Sequence, residues 1–145
     1  MEETIEIQED LFINSPFNKH IGIEVKHFLE GDVVLQLTIK DSHLNVNDTA
    51  HGGVYFSLLD SVMGATVRST VKNPITTISM NINYFSPLKE QDIITATAKI
   101  IQKGNSIVTA EGEVSDKSGK VVSKAIGTFK IMRHLKKGAI ENNEE

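Results

Sequence analysis

The sequence predicts an α+β domain in which one curved antiparallel sheet wraps a single long helix. Three observations lead there. From Val54 to Val71 the apolar residues Val54, Tyr55, Phe56, Leu58, Leu59, Val62, Met63 and Val67 fall on most faces of a helix. At 3.6 residues per turn this is roughly five turns, and it calls for burial on nearly all sides. Flanking segments alternate apolar and polar residues with period two, so each reads as a strand with one apolar face. Small residues recur at Ala96, Ala98, Ala110, Gly112, Ala125 and Gly127, where a helix can lie close.

In chain order, residues 1–14 place Ile5, Leu11, Phe12 and Ile13 among acids and predict a short amphipathic helix, stopped by Ser15-Pro16. Phe17 to Lys26 leads into a strand through the alternating Ile21, Ile23 and Val25. Glu30-Gly31-Asp32 reads as a turn into a second strand with Val33, Leu35, Leu37 and Ile39 on one face, and the two make a hairpin. After the helix, Lys72-Asn73-Pro74 is a stop signal. The next strand puts Ile78, Met80, Ile82 and Tyr84 on one face, opposite Thr77, Ser79, Asn81 and Asn83, and ends at Ser86-Pro87. Strands follow over Ile94–Ile100, Val108–Val114 and Val121–Met132, with turns at Lys103-Gly104-Asn105 and Asp116–Lys120. One domain over residues 1–135 is expected. The polar segment 136–145 is expected to be a disordered tail.

The chain has 145 residues, enough for one proper core. A net charge of −4 offers no electrostatic case for nucleic acid or an anionic membrane surface. With no cysteine, disulfides, thiolate metal sites and cysteine nucleophiles are excluded. No apolar run approaches the roughly 18 residues of a membrane span, and Met1-Glu2-Glu3 is the opposite of a basic signal start. A cytoplasmic location is expected. Metal binding is disfavoured, because His20, His27, His43 and His134 are scattered around the lone His51. No G-x-S-x-G elbow is present, which speaks against an α/β-hydrolase.

The most specific stretch is Asn45, then His51-Gly52-Gly53 six positions on, then Asp60 nine positions after the histidine, with Asn83-Tyr84-Phe85-Ser86-Pro87 downstream. This pattern resembles the hotdog-fold acyl-CoA thioesterases of the PaaI-like branch, over roughly residues 17–132. The resemblance implies a hotdog fold and thioester hydrolysis without a metal or redox cofactor, coenzyme A being part of the substrate. It implies that Asp60 acts as general base or nucleophile and that Asn45 positions water or substrate. It implies that the Gly52 N–H polarises the thioester carbonyl and that His51 shapes the loop and helps bind substrate. Thr77 stands where the branch's mammalian member has an assisting serine. Tyr84 and the Lys103-Gly104 turn are the implied coenzyme A contacts; Lys89, Lys99 and Arg133 read as surface charges.

The chemistry also stands on its own. Thioester hydrolysis needs an activated water or a carboxylate nucleophile, and donors for the developing oxyanion. A helix N-terminus supplies free N–H groups and a positive dipole end. Asp60 is the single carboxylate of the apolar helix, and a structural carboxylate satisfied by nearby hydroxyls is the competing reading. Gly52 and Asp60 are eight positions apart, about 12 Å along a helix, whereas reacting groups lie about 3 Å apart. One carbonyl meeting both therefore implies a homodimer with shared sites, or a dimer of such dimers. Tyr55, Phe56, Leu59, Met63 and Tyr84 are the candidate pocket walls. An acyl-CoA-sensing module, a hotdog hydratase or dehydratase, and a scaffolding domain remain the alternatives.

Overall fold

The computed structural model describes residues 4–133; the tail expected over 136–145 lies outside them. The elements run α1 (Ile5–Ile13), α2 (Pro16–Ile21), β1 (Glu24–Leu29), β2 (Asp32–Thr38), α3 (Gly52–Val71), β3 (Ile75–Tyr84), β4 (Ile93–Lys103), β5 (Ile107–Ser115) and β6 (Val121–Ile131). Helix α3 starts two residues earlier than the apolar run because the His51 side chain caps it, accepting the Gly53 N–H. It ends where Lys72 turns left-handed, φ 57°, just before Pro74. Leu58, Leu59, Val62, Met63 and Val67 on α3 are wholly buried, each burial contributing about 1.5–3 kcal/mol. Thr66 and Ser69, also buried, return their hydroxyls to the Val62 and Thr66 carbonyls at 2.7 Å, so neither hydroxyl is stranded. Phe56 departs from the expectation: it is 42 % exposed and lies outside the core.

Among the described residues six strands form one antiparallel sheet in the order β1-β2-β4-β5-β6-β3. It curves around α3, the hotdog architecture that the sequence predicts. The small residues fall where they are needed. A Cβ on Gly112 would stand 3.0 Å from the Met63 Cγ, and one on Gly127 3.1 Å from the Met63 Cε. The helix rests on the sheet only because those side chains are missing.

Two local expectations are corrected. Phe17–Ile21 is helical, in α2, rather than the lead-in to a strand. Pro16 occupies the first turn, where its missing N–H is harmless, and Gly22 closes the helix at φ 91°. The strand begins only at Glu24. In β3, Ile78 does not share a face with Met80 and Ile82. Thr77 pairs with Phe129 and Ser79 with Thr128, so Ile78 is an extra residue in a β-bulge. The bulge resets the alternation. It puts Thr77 on the helix side with Met80 and leaves Ile78 53 % exposed.

Candidate active site

The loop before α3 is built by its own polar side chains. His43, buried in the short 3-10 turn Asp41–His43, accepts the Lys40 N–H at Nδ1 (2.9 Å) and donates from Nε2 to the Ile21 carbonyl (2.7 Å). Its own carbonyl takes the His51 N–H at 2.8 Å. The Asn45 Oδ1 accepts from the backbone N–H groups of Asn47 (2.8 Å) and Thr49 (3.2 Å), and its Nδ2 donates to the Thr49 hydroxyl at 3.1 Å. Asn45 thus shapes the loop that delivers His51 to the helix start. His51 in turn accepts the Gly53 N–H at Nδ1, 2.8 Å.

Two concave surfaces lie at different places along α3. At its N-terminus Gly52 lies in a cavity of about 290 Å³ walled by Tyr55, Tyr84, Phe85 and Ser86. As the first helical residue, Gly52 has an N–H with no partner inside the helix. A side chain at Gly52 would press on the Tyr84 ring, 3.3 Å from its Cε1, so glycine lets a carbonyl or an aromatic ring approach the backbone. Tyr84 meets Tyr55 edge to face at 5.4 Å. The Tyr55 hydroxyl donates to the Ser86 carbonyl at 2.9 Å. Burial, and next the negative charge of Asp92, push the Tyr55 phenol above its ordinary range.

Two turns further along, half-buried Asp60 accepts the Thr77 hydroxyl at Oδ1, 2.9 Å. The bulge in β3 makes that contact possible. Asp60 and Thr77 line a second cavity of about 400 Å³, between α3, β3 and the N-terminal helices, with Ser61, Asn18, Phe12 and Ile75 in its walls. A carboxylate held by a hydroxyl at the mouth of a cavity suits proton abstraction from water.

The structure therefore groups the sequence candidates into two sets. Gly52, His51 and Tyr84 gather at the helix start, while Asp60 and Thr77 sit further along the same unbroken helix and the strand beside it. Lys103 and Gly104 belong to the β4–β5 turn, where the Gly104 N–H donates to the Ile107 carbonyl at 2.8 Å, and they line neither cavity. Of the expected pocket walls, Tyr55 and Tyr84 line the Gly52 cavity, whereas Leu59 and Met63 are core. Sequence reasoning missed Asn18, Phe12 and Ser61. Only the adjacency of Ser61 to Asp60 could have flagged any of them, since the docking of α1 and α2 leaves no periodic signal. Among the described residues no group of three or more His, Asp or Glu is placed to hold a metal ion. No described helix is long and apolar enough to cross a membrane.

The chain as a whole is similar to known proteins. Human acyl-coenzyme A thioesterase 13 is 27 % identical over 95 residues, 64 % of this chain and 68 % of its own length. The Escherichia coli PaaI protein from the phenylacetic acid degradation operon superposes with a TM-score of 0.80 at 24 % identity, over 86 % of this chain and 89 % of its own. A point mutant of the phenylacetic acid degradation protein PaaI from Thermus thermophilus superposes with a TM-score of 0.77 at 28 % identity, over 81 % and 100 %. The family description of the thioesterase superfamily matches residues 47–123, just over half of the chain. That match spans the His51 cap, the whole of α3 and the Asp60–Thr77 contact. The long helix and its wrapping antiparallel sheet thus have one common explanation: the chain belongs to the thioesterase superfamily.

Proposed function

We propose that this thioester hydrolase acts on an acyl-CoA, releasing a carboxylic acid and free coenzyme A, with Asp60 assisting the attack of water. The observation that carries the reading is the Asp60–Thr77 pair at 2.9 Å, opening on a cavity, on the same helix whose start presents Gly52. Asp60 takes a proton as the water oxygen bonds to the carbonyl carbon. The oxyanion of the tetrahedral intermediate accepts a hydrogen bond from the Gly52 N–H, where the helix dipole also favours negative charge. The intermediate collapses by breaking the C–S bond, and coenzyme A leaves as its thiolate. Relatives named as acyl-coenzyme A thioesterases support this substrate.

Within one chain the two groups line different cavities and stand about 12 Å apart along the helix. We therefore assign each site to two chains, with Asp60 from one and Gly52 from the other. Strand β3 supports this: it forms one edge of the sheet and ends in exposed Tyr84, with exposed Phe85 just after it and exposed Ile78 earlier along it. An exposed edge of ten residues invites pairing with a second copy. Asn45 contributes by holding the loop, and Tyr84 by flanking the bound thioester. A cytoplasmic location fits the absence of cysteine. The deciding experiment measures coenzyme A release from acetyl, medium-chain, long-chain and arylacetyl thioesters, with the Asp60→Asn protein as control. Binding of acyl-CoA without release would turn the reading toward a sensing module.

A further inference from the structure

We infer that the acyl group carries a hydroxyl or oxo oxygen near the thioester, held by Asn18 and Ser61. This rests on the thioesterase reading of Asp60. The cavity at Asp60 is divided chemically. Leu11, Phe12, Phe28, Ala65 and Ile75 offer hydrocarbon, as an acyl chain requires. Asn18 and Ser61, beside Asp60, are polar, and Gln8, Ser15 and Arg68 add polar groups elsewhere in the wall.

Asn18 is only 8 % exposed. Its Nδ2 donates to the Phe12 carbonyl at 3.2 Å, and its Oδ1 receives the Ser61 hydroxyl over a long 3.4 Å. A carboxamide has two N–H donors and two carbonyl lone pairs, so a donor and an acceptor site remain for a ligand. A plain alkyl group seated there would cover these groups and displace water without replacing its hydrogen bonds. A hydroxyl can both donate to Asn18 Oδ1 and accept from its amide; an oxo group can accept. Position follows from the lining. Ser61 is the residue after Asp60 on α3, both line this cavity, and Ser61 bonds Asn18, so the polar pair shares the cavity in which the carboxylate must meet the thioester carbonyl. The match is to an acyl group that brings a hydrogen-bonding oxygen to Asn18 and Ser61 and hydrocarbon to the apolar walls.

The test compares kcat/KM for 3-hydroxybutyryl-CoA and butyryl-CoA. A preference for the hydroxylated substrate of about tenfold or more is expected, since a site built to bond a hydroxyl rejects the analogue lacking it. Ser61→Ala and Asn18→Leu should each bring that ratio toward one. Equal kcat/KM values in the wild-type protein overturn the inference. So does a ratio unchanged in both variants, or in Ser61→Ala alone where Asn18→Leu fails to fold. If neither thioester is hydrolysed, the thioesterase reading fails separately, and binding decides the pocket. Ketone analogues of the two substrates, with a methylene between sulfur and carbonyl, are then compared by calorimetry. Tighter binding of the hydroxylated analogue, lost in Ser61→Ala, upholds the pocket; equal binding overturns it.

Discussion

The Thr77 hydroxyl fixes one oxygen of Asp60 at 2.9 Å, and a carboxylate has a second oxygen able to take a proton from water. Asp60→Asn keeps the shape and the Thr77 contact but removes the base. Coenzyme A release is expected to fall about 10²–10⁴-fold while circular dichroism and melting stay close to wild type. Undiminished release from the folded variant would return Asp60 to a structural role. Thr77→Val removes only the orienting hydrogen bond, so a smaller loss of about tenfold in kcat is expected, with KM nearly constant. A change confined to KM would mean that Thr77 contacts substrate instead of Asp60. At this scale the sequence showed Asp60 clearly, as the lone carboxylate of an apolar helix. It showed Thr77 only through the resemblance, because strict alternation would have sent that side chain away from the helix. A single inserted residue in the ladder reverses the face, and no composition rule marks where a strand bulges. Asn45 is legible as a turn-prone residue, and its side-chain hydrogen bonds within the loop explain why that residue type is needed.

The contact between α3 and the sheet depends on what is missing. At Gly127 a Cβ would lie 3.0 Å from the Phe129 ring and 3.1 Å from the Met63 Cε, with no open space around it. Gly127→Val is therefore expected to destabilise by about 1–3 kcal/mol through overpacking. Urea denaturation should show a lower midpoint with an unchanged slope. The small-residue stripe was readable because only its spacing mattered. Helix α2 was not, since six residues of turn chemistry decided it against an alternating apolar pattern. Tyr55 ties α3 to the segment after β3 through the Ser86 carbonyl. Its phenol is raised in the fold, so the fold holds that proton more tightly than the unfolded chain does. The associated stability is complete below the unfolded value of about 10 and is lost as pH rises through the raised folded value. Denaturation series from pH 8 to 11 should show wild type losing more stability above about pH 10 than Tyr55→Phe does. Parallel curves would separate Tyr55 from the alkaline loss.

Across the whole molecule, the roles proposed for Gly52 at the start of α3 and for Asp60 two turns along it call for two chains at each carbonyl. Two inactive proteins should then restore each other. Mixed chains carrying Asp60→Asn and Gly52→Val would form about half of their dimers as hybrids, each with one intact and one doubly damaged site. About a quarter of wild-type coenzyme A release is the expected recovery. Subunit exchange shown by mass spectrometry without recovered activity would argue against shared sites. The fold itself was legible from one buried helix and period-two strands. The cavity under α1 and α2 was not, because it arises from packing between segments far apart in the chain, such as those carrying Asn18 and Ser61.

The strand order also sets a schedule for synthesis. β3 pairs only with β6, and about 40 residues separate them in the chain. At about 5–20 residues per second, β3 leaves the ribosome roughly 2–8 s before its hydrogen-bonding partner exists. Helix α3 waits as well, since the floor under Met63 includes Gly127 and Phe129 at the end of β6. The nascent chain thus carries its most apolar segment and an unpaired edge until the last strand arrives. A chaperone that binds apolar segments would have its opening in that interval.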